Sequence, residues 1–67
     1  MRYYVNKNAQ SNGDHEVHDS DCHYLPSSDN RMYLGDFSNC HDAVEEAKEY
    51  YSQSNGCYYC SNECHTR

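Results

Sequence analysis

The sequence predicts one small α+β domain over residues 1–67, with two or three short antiparallel strands, one long helix and a short C-terminal helix. Three observations predict it. Large apolar residues are scarce, with two Leu, three Val, one Phe and no Ile in 67 residues, well under the roughly 20% of ordinary cores. Five Cys and five His are present, far too many of the two best transition-metal ligands for an indifferent tail. Three short aromatic and β-branched segments bounded by turn residues precede a single helical stretch. A chain this short forms one marginal core at most, so a covalent or metal staple is expected to hold it, with the eight Tyr and the Cys supplying much of the buried surface.

The elements follow in order. Residues 2–7 read as a strand, since Tyr3, Tyr4 and Val5 suit a half-buried pleated surface. A polar loop ends in Asn12-Gly13, a pair that permits positive φ, and the chain returns through a second strand at 15–18. Asp19 to Pro26 forms a turn closed by the one proline. After the polar loop Ser27-Ser28-Asp29-Asn30, residues 31–35 read as a third strand that Gly35-Asp36 terminates.

The helix is expected from about Ser38 to Ser54. Ser38 or Asn39 caps it, Asp42, Glu45 and Glu46 suit its early turns, and Asn55-Gly56 supplies the stop. Cys40, Val44, Ala47 and Tyr51 make one apolar stripe along it, to pack on the sheet. Beyond Gly56, Cys57, Cys60 and Cys64 fall at i, i+3 and i+7, the spacing of one face of a short terminal helix.

Charge and hydropathy exclude several classes of function. The formal charge is −6, and the five basic residues Arg2, Lys7, Arg31, Lys48 and Arg67 are scattered, whereas a phosphate backbone demands clustered cations. No segment approaches the roughly 20 apolar residues of a membrane span. The N-terminal residues lack the apolar stretch of a secretory signal, so the expected compartment is the cytoplasm. In a reducing compartment, cysteines at ligand spacing bind metal more readily than they pair, and five thiols cannot all pair.

Two half-sites carry the chemistry. His18 and Cys22 form an H-x3-C pair, and Cys57 and Cys60 form a C-x2-C pair just after Asn-Gly. In a tight turn the C-x2-C spacing aims two sulfurs at one ion about 2.3 Å away, and a third sulfur and an imidazole nitrogen at about 2.0–2.1 Å complete a tetrahedron. The predicted metal ligands are therefore His18, Cys22, Cys57 and Cys60, and the expected cofactor is Zn2+. Four protein ligands leave no open position, so the site is structural and its binding energy is folding energy. The ligand pool also holds Cys40, Cys64, His15, His23, His41 and His65. Cys40 reads first as a buried thiol on the helix stripe; Cys64 and His65 could extend the second half-site, but their place near a frayable C-terminus weighs against ligation.

These parts, Val17-His18-x3-Cys22-x-Tyr24-Leu25-Pro26, then Asn30-Arg31-Met32-Tyr33-Leu34-Gly35-Asp36-Phe37, a helix with Ala43 and Ala47, and Gly56-Cys57-x2-Cys60, resemble the zinc-binding N-terminal domain of the Ada methylphosphotriester repair proteins. The resemblance covers about residues 17–60. It implies an Ada metal-binding-like fold with one zinc held at the positions of His18, Cys22, Cys57 and Cys60. In that family the first ligand is a cysteine thiolate that accepts a methyl group from a DNA phosphotriester. Here His18 stands in its place with no sulfur to offer, so methyl transfer is not expected.

The expected function is a small zinc-binding structural or protein-interaction module without catalytic activity. It is expected to be monomeric, with a protein partner in preference to nucleic acid and no membrane. The alternatives are a thiol-based enzyme or redox protein using Cys57 and Cys60, or a DNA-binding Ada-like module. Rapid alkylation of one thiol in the folded, zinc-loaded chain would mark the first, and salt-dependent affinity for duplex DNA the second.

Overall fold

The computed structural model describes residues 1–66, leaving Arg67 outside the described residues, and among them are four strands, one α-helix and two single turns of 3-10 helix. Strands β1 (Arg2–Asn6), β2 (His15–Asp19), β3 (Arg31–Asp36) and β4 (Ser54–Gly56) form one sheet in the order β3-β1-β2-β4, and α1 spans Cys40–Ala47. β1 pairs antiparallel with both β2 and β3, whereas β4 pairs parallel to β2. The mixed sheet corrects the predicted fold of antiparallel strands dominated by one long helix and closed by a short C-terminal helix.

The turn between β1 and β2 is built as the sequence chemistry requires. Gly13 has φ +93°, and the Asn12 side chain accepts from the Asp14 backbone N–H at 2.9 Å. Asp14 itself is fully buried, its carboxylate accepting from Gln53 and Asn55 at 2.9 and 3.3 Å. This cluster ties the turn to the segment that enters β4. Placing β4 there requires those contacts, which join residues about forty positions apart.

The helix ends a full seven residues before Ser54. Asn39 caps its start by accepting from the Asp42 N–H at 2.9 Å, as its side chain should. After Ala47 the chain tightens: Tyr50 N–H and Tyr51 N–H both donate to the Ala47 carbonyl. Ser54 to Gly56 then lie in the sheet beside β2, with His15 opposite Ser54 and Val17 opposite Gly56. Asn55-Gly56 is thus buried strand, not a helix stop. Pairing with β2 satisfies backbone groups that a longer helix would have satisfied internally, and it delivers Cys57 to the sheet.

On one face of the sheet, Tyr3, Val5, Val17 and Leu34 pack against Cys40, Ala43, Val44 and Ala47 of α1. Val5, Val17, Ala43 and Ala47 are completely buried. These small residues let the helix approach closely, leaving no room for most of the tyrosines. Tyr24, Tyr33, Tyr50, Tyr58 and Tyr59 are all more than half exposed and only Tyr3 is buried, so the tyrosines do not supply the interior that the composition suggested.

The cysteines divide. Cys40 and Cys64 form a disulfide that closes a separation of 24 residues, while Cys22, Cys57 and Cys60 are free thiols. Cys40 is buried on the helix stripe as expected, but cross-linked instead of free. The predicted terminal helix is replaced by a turn at Cys57–Cys60 and one turn of 3-10 helix at Asn62–Cys64. That break turns Cys64 away from its two neighbours and into the core beside α1.

Candidate metal centre

Adjacent strand residues face opposite sides of a sheet. Val17 faces α1, so His18, the next residue of β2, points to the other side, which it shares with Glu16 and its cross-strand partner Tyr4. His18 is 1% exposed.

The turn after β2 then curls back over that face. Asp21 N–H donates to the Asp19 carboxylate at 2.9 Å and Cys22 N–H to the Asp19 carbonyl at 3.2 Å. This turn sets Cys22 Sγ 3.5 Å from His18 Nδ1. From the other end of the chain, Cys57 N–H donates to the Val17 carbonyl at 2.9 Å, extending the β2–β4 pairing by one bond. Cys57 Sγ thereby lies 3.9 Å from Cys22 Sγ, and Cys60 Sγ, one turn on, lies 4.0 Å from His18 Nδ1. One ring nitrogen of His18 and the sulfurs of Cys22, Cys57 and Cys60 all lie within 4.8 Å of one another.

Those separations match the edges of a coordination tetrahedron. Metal–sulfur bonds of about 2.3 Å and a metal–nitrogen bond of about 2.0–2.1 Å put sulfurs about 3.8 Å apart and sulfur and nitrogen about 3.5 Å apart. The surroundings suit thiolates as well. Asp19 N–H points at Cys60 Sγ and Tyr24 N–H at Cys22 Sγ, each at 3.4 Å, and the Ser61 hydroxyl lies 3.7 Å from Cys60 Sγ. Such donors spread the charge of metal-bound sulfur.

His18 Nε2 is buried and has no hydrogen-bond partner among the described residues. An orphaned buried imidazole nitrogen is costly unless the ring has another task. Here the opposite nitrogen, Nδ1, is the one aimed at the sulfurs, and Glu16 Oε1 lies 3.8 Å from Nε2. A small shift would let Nε2–H donate to Glu16, the carboxylate–histidine arrangement that orients a metal-bound imidazole. Burial pulls the His18 pKa down, against the opposing pull of Asp19, so the ring is neutral and able to ligate. Burial pushes the Cys57 thiol up and the Cys60 thiol up to about 12, so in the absence of a cation both keep their protons at neutral pH.

The other candidate ligands are placed elsewhere. His15 Nδ1–H donates to the Asn6 carbonyl and its ring stacks on Tyr51 at 3.9 Å. His65 Nδ1–H donates to the Gly56 carbonyl at 2.9 Å and its ring meets the edge of Tyr58. His23 borders a shallow cleft with Tyr24 and Tyr59. Cys40, His41 and Cys64 form a separate group at the start of α1. Sequence reasoning did not find Glu16, whose signal is its i, i+2 spacing from His18 on one strand face.

The described residues define a small mixed-sheet protein with a three-sulfur, one-nitrogen cluster, two of its residues buried and two half-buried, able to hold a metal ion. Comparison of the chain with protein-family models, with curated proteins and with solved structures finds no match. Among the described residues, no helix is long and apolar enough to cross a membrane.

Proposed function

We propose that this chain is a zinc-binding structural or protein-interaction module without catalytic activity, in which His18, Cys22, Cys57 and Cys60 hold one Zn2+. The carrying observation is the convergence of four donors from β2, the turn after it and the turn after β4, at tetrahedral spacing around a histidine whose remaining nitrogen is orphaned. Three sulfurs and one imidazole form a soft, closed donor set that favours Zn2+ over the oxygen-seeking Mg2+ and Ca2+. With every position taken by protein, no site for substrate or activated water remains, which is the mark of a structural ion.

The same features weigh against the thiol-enzyme reading. A catalytic cysteine needs a depressed pKa and access, whereas burial raises both Cys57 and Cys60. The comparisons lend no support to an Ada-type domain, and His18, at the position where the resemblance would put the methyl-accepting cysteine, has no sulfur to accept a methyl group. The acidic charge argues for a protein partner over nucleic acid. We further propose a monomer; the Cys40–Cys64 disulfide weighs against the reducing cytoplasm expected from the sequence.

The test is metal content by mass spectrometry and thermal melting of the wild type and of single Cys22→Ser, Cys57→Ser, Cys60→Ser and His18→Ala variants. One zinc per chain is expected in the wild type, with a large loss of affinity and of melting temperature in each variant and after chelation. A His18→Ala chain that keeps both zinc affinity and fold would overturn the assignment.

A further inference from the structure

A second group of ligating side chains lies outside the proposed centre. Cys40 opens α1 directly behind its cap Asn39, and His41 is the next residue of the helix. Cys64 ends the 3-10 turn at Asn62–Cys64 and is joined to Cys40. One ring nitrogen of His41 and the sulfurs of Cys40 and Cys64 all lie within 4.8 Å of one another. The two cysteines are buried and His41 is exposed. The His41 ring forms no hydrogen bond, ion pair or ring contact with any described residue, so its nitrogens are uncommitted inside the protein.

We propose that reduction of the Cys40–Cys64 disulfide creates a second, redox-controlled metal site formed by Cys40, His41 and Cys64. The reductant is a dithiol. It donates two electrons and two protons, the S–S bond breaks, two thiols form, and the dithiol closes to its own disulfide. A divalent cation of the zinc class then displaces the two thiol protons and takes the His41 nitrogen as its third ligand. With that bond broken, the two sulfurs span one ion at a separation of about 3.8 Å.

Three protein ligands leave one coordination position open. Cys40 borders a surface cleft of about 430 Å³ that Asn39, Cys60 and Glu63 also line. The cleft gives an attacking thiolate its approach and leaves room for water or the Glu63 carboxylate as fourth ligand. The oxidised chain holds these two sulfurs as a covalent staple, and the reduced chain replaces it with a metal staple between the same two elements. No ligand is shared with the His18 centre, so the two sites load independently.

The experiment is a titration with Zn2+ alone of the full chain, once oxidised and once reduced with a dithiol and desalted under anaerobic conditions, read by equilibrium dialysis and metal analysis. Stoichiometry is expected to rise from one zinc to two on reduction. His41→Ala, a surface substitution, is expected to remain at one in both states, and Cys64→Ser to remain at one under either condition. A reduced wild type that still binds a single zinc, a reduced chain that unfolds and gains none, or a His41→Ala chain that still binds two would overturn the proposal. An oxidised chain that binds none but gains one His41-dependent zinc on reduction would support this site while rejecting the His18 centre.

Discussion

Glu16 Oε1 stands 3.8 Å from His18 Nε2 on the same face of β2, and it is the carboxylate that can take the proton-bearing nitrogen of an otherwise unpartnered, buried imidazole. Because side chains at i and i+2 of a strand share a face, the pair is positioned by the strand alone. Half the design of a metal site lies in such outer contacts, which fix the tautomer and raise the basicity of the ligating nitrogen.

Removing that carboxylate is therefore expected to weaken the centre while leaving its four ligands in place. Glu16→Ala should lower zinc affinity by about 10–100-fold, measured by competition with a chromophoric chelator, with Glu16→Gln falling between it and the wild type because an amide oxygen still accepts. Affinities within twofold of wild type for both variants would show that Glu16 does not orient His18.

The pH dependence of the chelated protein is expected to differ from that of the loaded one on the alkaline side. Without metal, burial raises the Cys57 pKa and pushes the Cys60 pKa up to about 12, so on raising pH the unfolded chain loses its thiol protons first, near about 8.5, and stability falls above that. Burial lowers the His18 pKa, so below about 6.5 the unfolded chain gains its proton first and stability also falls on the acid side. The chelated protein should melt highest between about pH 6.5 and 8.5. The zinc-loaded protein should hold its melting temperature through the alkaline range, where its thiolates need no proton, and lose it in acid as protons compete for the ligands. Melting curves across pH with and without chelator check this, and a metal-free melting temperature that climbs from pH 7 to 10 would contradict it.

Gly56 is required by close approach and not by backbone conformation. A Cβ there would lie 2.7 Å from both Cys64 Cβ and the Ser61 carbonyl oxygen, so neither neighbour could move without shifting the 3-10 turn. Gly56→Ala is expected to cost about 1–3 kcal/mol in denaturant unfolding by overpacking. Since residue 56 directly precedes Cys57, the same substitution should also weaken zinc binding. An unfolding free energy unchanged from wild type would show that the turn sits more loosely on β4 than this contact requires.

The sequence by itself determined the parts whose causes lie within a few residues. Alternation and turn chemistry place β1, β2 and β3 close to where they are found, Asn39 caps α1, Asn12-Gly13 makes the first turn, and the H-x3-C and C-x2-C spacings set each pair of donors in its own tight turn. Tertiary structure alone decided where the helix stops, that Ser54–Gly56 pairs parallel to β2, and that Cys40 takes Cys64. Helical spacing carries past Ala47 in the residues, but the Asp14 contacts with Gln53 and Asn55 and the backbone pairing with His15 to Val17 pull the chain into the sheet instead. Five cysteines look alike along a chain, and only the folded distance between them separates a cross-link from a ligand.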